Sequence, residues 1–582
     1  MITHTKIVCT LGPATSDAHM IKSLMLAGMN VARLNFSHGN HEEHLALINI
    51  IKELRDELGL PIAIMLDTKG PEIRIGKLKE KIVALKPGDR ILLVREEIEG
   101  DNQKISLSPP SIVDALKPGM SLFLDDGYIV THVVEVTNEG AWIQVDNGGT
   151  IRSLKGVNVP GLDMELPALT KKDVEDIKFG CEQDIDIIAA SFIRSEEDVI
   201  AIRKLIEIEG RHDILIMSKI ESRQGVENFD SILKVSDGIM VARGDLGVEL
   251  PLTQVPRLQK MMIRKCYLEA KMSVTATQML ESMINNPRPT RAEASDVANA
   301  IYDSTSAVML SGESAIGRYP IEAVKVMRAI IDESELDFDY DAFLEYASHN
   351  ASDVAASVAS ASVRTAYNAN AKAIFAFTTS GGTARLLARL RPKIPVIAMT
   401  PSKKVYHQLS AYWGVTPLFC NEAHNIEEAY KRLSEYALQR KLVRHGDLVV
   451  ITAGSPFGKA GTTNMMIVDS IGDVLVRGSE GLGSRVYGKV SLFPKPDLNH
   501  YEAKGKVVVL DRCSESYREL LKSVAAVILQ TGDEESERYL KSVAKELSLS
   551  VLLQAEGASR ILREQQLVTI DPDQAVVYKG VL

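Results

Sequence analysis

The sequence predicts an α/β protein whose largest part is a (β/α)₈ barrel, and three observations lead to this fold class. Up to about residue 340, eight short apolar runs rich in β-branched residues recur, and helix-like amphipathic segments follow most of them. Nearly all of these runs end in polar residues. Residues 71–158 interrupt the series with alternating strands and Gly, Pro and Asn turns. Buried strands alternating with helices are typical of a barrel whose chemistry lies where the strands end.

The eight predicted barrel strands lie, in chain order, in TKIVCTLGP, NVARLNFSHG, IAIMLDTKGPEIR, IDIIAASFIR, ILIMSKIE, DGIMVARGDLG, SVTATQML and AVMLSGES. The polar groups at their ends are Arg33, Asn35, Ser37, Asp67, Arg74, Lys219, Glu221, Arg243, Asp245, Thr277, Ser311 and Glu313. A barrel with a purely structural role would not need so many charged groups at one end. We therefore expect a functional site there.

Lys219 and Glu221 illustrate the argument. They are two residues apart at the end of the strand in ILIMSKIESRQG, so their side chains should point the same way at nearly the same height. The structural alternative is an ion pair at a strand end. The polar ends of the other strands favour a shared functional site.

Four parts are expected along the chain. Residues 1–70 and 159–343 form the barrel, and residues 71–158 form a small antiparallel β-domain placed to act as a lid. Residues 344–477 repeat an α/β pattern. Residues 478–582 form an extra α/β module with strands at VVVL, AVIL, VLLQ and LVTI.

Composition narrows the class of protein. The formal net charge of -10 argues against a nucleic-acid surface. The five cysteines are far apart, which disfavours a disulfide framework or a zinc site and favours a reducing cytoplasm. The N-terminus lacks the pattern of a signal peptide, and no apolar run is long enough to span a membrane. We expect a cytoplasmic protein that binds neither nucleic acid nor membrane.

Several long motifs resemble the pyruvate kinase family. MSKIESRQG is similar to the signature around that family's catalytic lysine, and RLNFSHG, LDTKGPEIR, KGVNVPG, VARGDLG, TATQMLESM, NPRPTRAEASDVANA and VMLSGES follow the family's order. The resemblance continues to about residue 476, roughly four fifths of the chain. It implies phosphoryl transfer from phosphoenolpyruvate to ADP, giving pyruvate and ATP in the last step of glycolysis.

The residue types suit this reaction, because it brings several anionic oxygens together and needs cations and metals. By resemblance, Lys219 stabilises the transferring phosphoryl group beside Arg33 and Arg74. Thr277, acting through water, lies where the family protonates the enolate; the alternative is a strand-end Thr bonded to the backbone. The predicted substrate carboxylate site comprises the amides of Ala242, Arg243, Gly244 and Asp245 at a helix start.

The resemblance also implies metals and nucleotide contacts. Glu221 and Asp245 would bind Mg²⁺ or Mn²⁺, which prefers oxygen ligands. Glu72 matches family members that require K⁺. The implied K⁺ ligands are Asn35, Ser37, Asp67 and Thr68. The implied nucleotide contacts are His38, Arg74 and Lys155, although an exposed His or Lys beside a loop is more often a solvated surface residue.

The third part contains TTSGGT (378–383) before a helix, where hydroxyls and amides could form a phosphate cradle. It resembles the family's effector loop, and a Gly-rich helix-capping turn is the alternative. The candidate residues are Thr378, Ser380, Gly381 and Thr383. The resemblance further implies a phosphorylated effector and a homotetramer. GSPFGKAG (454–461) does not match a nucleotide P-loop, because only three residues separate its glycines and no Ser or Thr follows Lys459.

Within the last module, residues 505–582 weakly resemble the swivelling phosphohistidine domain of phosphoenolpyruvate-using synthetases and phosphotransferases, through GKVVVLDR, AKELSLSV and QLVTIDPDQAVVYKG. Aligning AKELS with the usual Ala-Arg-Glu-Leu-Gly places Tyr539 at the position of the reactive histidine. The nearest histidine is His500, in the preceding segment. We therefore expect a structural or assembly role.

Two other functions fit parts of the sequence. A pyruvate-handling aldolase or lyase on a similar barrel is disfavoured by the inserted lid and by the spacing of Lys219 and Glu221, and ATP formation would separate the two enzymes. A silent regulatory or scaffold protein is disfavoured by the intact set Arg33, Lys219, Glu221, Asp245 and Thr277.

Overall fold

A computed structural model describes residues 4–125, 127–162, 167–348, 353–421, 423–496 and 500–581. The chain divides into two compact units. The first contains residues 1–360, 377–422 and 458–463, and the second contains residues 361–376, 423–457 and 464–582.

The strands up to residue 348 are β1 (Lys6–Leu11), β2 (Val31–Asn35), β3 (Ala63–Asp67), β4 (Arg74–Ile75), β5 (Val83–Leu85), β6 (Arg90–Val94), β7 (Lys104–Ser108), β8 (Ser121–Leu124), β9 (Ile129–Val136), β10 (Ala141–Val145), β11 (Gly149–Ile151), β12 (Val157–Asn158), β13 (Ile187–Ala190), β14 (Leu215–Ile220), β15 (Gly238–Ala242), β16 (Met272–Ala276) and β17 (Ala307–Leu310). The helices are α1 (Ala18–Ala27), α2 (His41–Leu58), α3 (Ile112–Ala115), α4 (Lys171–Glu182), α5 (Glu196–Ile208), α6 (Arg223–Glu227), α7 (Phe229–Val235), α8 (Arg243–Glu249), α9 (Val255–Leu268), α10 (Arg291–Tyr302), α11 (Gly312–Ala315), α12 (Pro320–Ser334) and α13 (Tyr340–Ser348).

Eight of these strands close a parallel barrel in the order β1-β17-β16-β15-β14-β13-β3-β2. Each of the eight predicted runs supplies one strand, so the predicted fold class is confirmed. The strands are almost fully buried because the barrel interior covers one face and the helices cover the other. All strands therefore end at the same rim of the barrel.

The helix starts fix the loops at that rim. Asn40 and Glu43 form a capping box at the start of α2, and Thr170 and Asp173 form one at the start of α4. In a capping box each side chain bonds the other residue's backbone N–H, so two orphan donors are satisfied. The loop after β2 therefore ends at Asn40, and the loop before α4 ends at Thr170.

The insertion is a β-domain, as predicted. It contains a seven-stranded sheet in the order β12-β8-β9-β10-β6-β7-β4 and a pair of strands, β11 and β5. Most of its neighbouring strands run antiparallel, but β6 and β7 are parallel. The purely antiparallel interpretation was wrong for this pair, because the chain crosses over between Val94 and Lys104 instead of forming a hairpin.

The following part contains α14 (Val354–Asn368), β18 (Ala373–Phe377), α15 (Gly382–Ala388), β19 (Val396–Thr400), α16 (Lys403–Gln408), β20 (Val415–Phe419), α17 (Ile426–Gln439), β21 (Leu448–Gly454) and β22 (Thr463–Ser470). In the first unit β19 pairs with β20 in parallel. In the second unit β18 pairs with β21 in parallel. The predicted α/β pattern is present in both.

The C-terminal module contains β23 (Val474–Arg477), β24 (Glu480–Leu482), β25 (Val486–Leu492), α18 (His500–Ala503), β26 (Lys506–Leu510), α19 (Arg518–Leu521), β27 (Ala526–Leu529), α20 (Glu534–Leu547), β28 (Ser550–Leu553), α21 (Ala558–Ile561), β29 (Leu567–Asp571) and β30 (Val576–Lys579). They form one sheet in the order β23-β30-β29-β25-β26-β27-β28-β24. The four predicted strands correspond to β26, β27, β28 and β29. β23, which precedes our predicted boundary at residue 477, pairs with β30.

In the described part of the chain, no helix is both long and apolar enough to cross a membrane.

Candidate active site

Lys219 lies at the centre of a buried polar cluster at the barrel rim. Its Nζ is 2.7 Å from Ser191 Oγ, 3.0 Å from Asp67 Oδ1 and 3.1 Å from Glu221 Oε1. Because side chains alternate between the two faces of a strand, Lys219 and Glu221 lie together on one face, as the sequence predicts. They form the ion pair of the structural alternative, but that pair is part of a larger network drawn from three strand ends.

Arg33 extends this network on β2. Its Nε donates to Asp67 Oδ2 at 2.6 Å, and its guanidinium donates to Thr10 Oγ1 at 2.8 Å. The register of the barrel explains the second contact, because Thr10 lies opposite Arg33 on the neighbouring strand β1. Two cations thus share the carboxylate of Asp67, which is buried.

The electrostatics of the cluster favour its charged form. Burial opposes ionisation of Lys219, but the carboxylates of Asp67 and Glu221 more than compensate, so the pKa of Lys219 is raised. Burial likewise opposes ionisation of Asp67, yet the charges of Arg33 and Lys219 lower its pKa. Lys219 is therefore a permanent cation at physiological pH.

The two predicted magnesium ligands are carboxylates at the rim. Glu221 is buried, and its Oε2 accepts a hydrogen bond of 2.6 Å from the backbone N–H of Phe192. Asp245 lies in the first turn of α8 and lines an open cleft. Carboxylate oxygens of this kind fit a hard divalent cation in their chemistry.

The predicted potassium ligands lie around the end of β3. Asn35 is opposite Asp67 in the strand register, and Asn35 Oδ1 accepts from the backbone N–H of Ser37 at 3.1 Å. Thr68 is buried, and its Oγ1 accepts from the backbone N–H of Ser191 at 3.1 Å. These all-oxygen groups fit K⁺ in type, and the Asp67 carboxylate is at the same time engaged by Arg33 and Lys219.

Thr277 adopts a backbone conformation that is rare for a β-branched residue, with φ of 65°. Its Oγ1 accepts from the Gly244 N–H at 2.8 Å and lies 2.7 Å from the carbonyl oxygen of Ala276, to which it donates. Thr277 therefore forms the backbone hydrogen bond that the structural alternative predicts. The Gly244 N–H already donates to the Thr277 hydroxyl. Such strain is commonest at functional sites.

The side chain of Arg243 holds the neighbouring strand end. It pairs with Asp296 at 2.7 Å and donates to the carbonyl oxygen of Thr277 at 2.8 Å. These bonds tie the start of α8 to the end of β16. Ala242 is the last residue of β15, directly before this helix.

A cleft of about 750 Å³ opens between the barrel rim and the lid strands. All three predicted nucleotide contacts line it: His38, Arg74 and Lys155. Arg74 Nε donates to Glu72 Oε2 at 2.5 Å, and Lys155 Nζ lies 2.7 Å from Asp125 Oδ1. His38 is exposed, and its carbonyl oxygen is 2.9 Å from His44 Nε2.

The predicted effector loop lies before α15 and contacts a second loop. Gly381 is left-handed, with φ of 84°. Thr379 Oγ1 donates to the carbonyl oxygen of Gly458 at 3.1 Å, and Thr383 Oγ1 is 2.7 Å from Thr463 Oγ1. Ser380 is exposed, whereas Thr378 and Thr383 are buried. Gly458, which lies in the segment GSPFGKAG, therefore contacts the predicted effector loop.

Sequence reasoning missed two residues of the central cluster, Ser191 and Thr10. Ser191 Oγ donates to the carbonyl oxygen of Thr68 at 2.6 Å and accepts from Lys219. Its place at the polar end of the run IDIIAASFIR was the available signal. By contrast, Glu313, one of the polar strand ends, accepts from the backbone N–H groups of Leu280 and Ser311 and has a local structural role.

Comparison with known proteins agrees with this geometry. The family model for the pyruvate kinase barrel domain matches residues 2–324, and the model for the pyruvate kinase alpha/beta domain matches residues 356–468. Proteins named pyruvate kinase from Bacillus licheniformis and Sporosarcina psychrophila are 43% and 41% identical over 581 residues, covering 99% of each chain. The pyruvate kinase of Geobacillus stearothermophilus is 42% identical over 581 residues, covering 99% of this chain and 98% of its own. The chain belongs to the pyruvate kinase family of phosphotransferases.

Proposed function

We propose that this enzyme transfers the phosphoryl group of phosphoenolpyruvate to ADP, giving pyruvate and ATP. The observation that carries the proposal is the position of Lys219, a buried cation held by Asp67, Glu221 and Ser191 at the barrel rim. A fixed positive charge in a water-poor site stabilises developing negative charge without reorganisation during the reaction.

In this proposal Lys219 and Arg33 attract the phosphoryl oxygens of phosphoenolpyruvate. Arg74, His38 and Lys155 line the cleft and contact the nucleotide. The planar guanidinium groups suit phosphate oxygens because they can donate two parallel hydrogen bonds.

Two metals complete the proposed site. Bound Mg²⁺ or Mn²⁺ would neutralise phosphate charge, and Glu221 and Asp245 are the residues that would hold it. Asn35, Ser37, Asp67 and Thr68 would hold K⁺. Asp67 would then connect the potassium site to both Arg33 and Lys219.

Thr277 is proposed to pass a proton, through water, to the enolate carbon. Its hydroxyl donates to its own strand end in this structure. The role therefore requires a rotation of the hydroxyl group toward the substrate. The start of α8, from Ala242 to Asp245, is proposed to hold the substrate carboxylate, with Gly244 allowing close approach. Binding through the Gly244 N–H requires it to exchange its hydrogen bond with Thr277 Oγ1 for one with the carboxylate.

Regulation is part of the same proposal. A phosphorylated metabolite would bind the loop from Thr378 to Thr383, with the exposed Ser380 as its most accessible hydroxyl. The contact of Thr379 with Gly458, and that of Thr383 at the start of α15 with Thr463 at the start of β22, support a preformed region. We also propose a homotetramer and a cytoplasmic location, the latter because all five cysteines are free thiols.

The parts of the chain have proposed limits: a barrel of residues 1–70 and 159–343, a lid of residues 71–158, an effector part of residues 344–477 and an extra module of residues 478–582. The parallel barrel and the β-sheets of the insertion support the first two.

The test is a steady-state assay that couples pyruvate to a dehydrogenase and measures ATP separately. We expect stoichiometric pyruvate and ATP that depend on Mg²⁺ and K⁺, and activation by at least one phosphorylated metabolite in a panel. Replacing Ser380 with Glu should abolish activation and leave basal turnover unchanged. Pyruvate without ATP would indicate a lyase, and no pyruvate would refute the proposed reaction.

A further inference from the structure

Arg223 stands out among the cations of the cleft. The described Arg and Lys residues that line it are Arg74, Lys155, Arg194 and Arg223. The first three form ion pairs with Glu72, Asp125 and Asp198. Among the described residues, Arg223 has no ion pair and no side-chain hydrogen bond.

The fold places Arg223 next to the reacting groups. It is the first residue of α6, two positions after Glu221, and Ser222 caps the helix by accepting from the Gly225 N–H at 3.1 Å. This cap fixes the backbone directly after the predicted magnesium ligand. The side chain of Arg223 is exposed in the cleft, where a ligand can reach it.

Arg223 interacts electrostatically with a carboxyl group of the cleft, that of Glu249. Glu249 lines the same cleft, and burial raises its pKa even though a hydrogen bond to Asn158 and the charge of Arg223 favour its ionised form. An exposed arginine with no role would commonly be a solvated surface residue, so an experiment must separate the two interpretations.

We propose that Arg223 binds the diphosphate group of the nucleotide and is a binding residue for ADP. The proposal rests on the proposed function, because it assumes that the nucleotide occupies this cleft. Phosphoenolpyruvate is assigned to the buried cations Lys219 and Arg33, so the exposed Arg223 of the cleft lining is left for the second anionic substrate. Bidentate donation by guanidinium is suited to phosphate oxygens.

The test compares Arg223→Gln and Arg223→Lys with the unmodified enzyme. For Arg223→Gln we expect the KM for ADP to rise about tenfold, the KM for phosphoenolpyruvate to stay within about twofold, and partial recovery in Arg223→Lys because a point charge remains. Direct titration with ADP should show the same loss of affinity. Added tetramethylammonium chloride at constant K⁺ should weaken ADP binding more in the unmodified enzyme than in Arg223→Gln.

Arg257→Gln serves as the matched control, because Arg257 is an exposed arginine outside the cleft lining. Its substitution should leave both KM values unchanged. An unchanged KM for ADP in Arg223→Gln, or an equal rise in both KM values, would overturn the proposal while the activity of the unmodified enzyme still supports the proposed function. If the unmodified enzyme forms no ATP, the proposed function fails instead.

Discussion

The hydroxyl oxygen of Ser191 lies 2.7 Å from the amino group of Lys219 and donates its own hydrogen to the carbonyl oxygen of Thr68 at 2.6 Å. Ser191 therefore ties the cation on β14 to the loop after β3. We therefore expect Ser191 to be a positioning residue for Lys219.

Replacing Ser191 with Ala should lower kcat by roughly tenfold, because Lys219 loses one of its three oxygen partners and gains freedom. The KM values should change less than kcat. Stability should fall by about 1 kcal/mol, the usual net contribution of one hydrogen bond. Steady-state kinetics and urea denaturation measure both effects, and Ser191→Thr should restore part of the rate. An unchanged kcat in Ser191→Ala would refute the positioning role.

Replacing Lys219 with Met should abolish turnover, with a loss far above tenfold, because the role we propose for its charge is to stabilise the transition state. The structure adds a stability cost, since Asp67 and Glu221 would lose a shared partner; breaking buried pairs costs about 3–5 kcal/mol. Lys6→Met is the matched control. Lys6 is also buried and donates to the carbonyl oxygen of Val415 at 2.9 Å, at the opposite end of the barrel. The Lys6→Met variant should lose stability but keep its kcat. A loss of kcat smaller than tenfold in Lys219→Met would contradict the role assigned to Lys219.

The central pair could be predicted because the relation is local: two residues on one strand share a face whatever the rest of the fold does. The partners Ser191, Thr10 and Asp67 come from other strands, and their distances depend on the barrel register, which one sequence does not specify. The left-handed conformation of Thr277 was equally inaccessible, because β-branched residues disfavour it and only tertiary contacts such as the Gly244 bond maintain it. The parallel pairing of β6 and β7 depends on the path of the loop between them, which the alternation of apolar and polar residues along a strand does not predict.

Potassium dependence provides the third prediction. Glu72 forms an ion pair with Arg74 in the cleft lining, so its carboxylate adds a negative charge there. Glu72→Lys should raise activity in K⁺-free tetramethylammonium buffer at least tenfold, because the ammonium group replaces the cation's charge. Glu72→Gln removes the carboxylate without adding a charge and should give no such rise. Full activity of the unmodified enzyme without Na⁺ or K⁺ would show the requirement to be absent.

The fourth prediction concerns stability against pH. Burial, with the nearby charge of Arg55, lowers the pKa of His407 to about 4 from its usual 6.5. Between these values the unfolded chain binds more protons than the native one, so the free energy of unfolding must fall as pH falls. The expected contribution is about 2 kcal/mol between pH 7 and 5. His407→Gln should flatten this dependence in chemical denaturation, whereas the exposed His19→Gln should leave it unchanged. Equal slopes in all three proteins would disprove the effect.

The C-terminal module allows a prediction about both chemistry and stability. Tyr539, which occupies the position of the reactive histidine in our alignment, is half-buried on α20 and packs against the module's core. His500 begins α18, before the segment of residues 505–582 that carries the resemblance, and its side chain lies outside the part of the chain that the structure describes. Incubation with phosphoenolpyruvate should therefore leave no acid-labile phosphate on residues 478–582, and its appearance there would overturn the structural role.

Deletion after residue 478 should leave kcat within a few fold but lower the melting temperature. It removes β30, the partner of β23, and also Tyr578, which is fully buried. Tyr578 packs so closely on Gly446 that a Cβ at that glycine would lie 2.6 Å from Tyr578 Oη. Tyr578→Ala in the full chain should reproduce most of the loss, about 3–5 kcal/mol as for other large-to-small core changes. Tyr501→Ala, at a residue that is 90% exposed, is the control. A truncated enzyme that melts at the original temperature would show that residues 423–477 do not depend on the module for their stability.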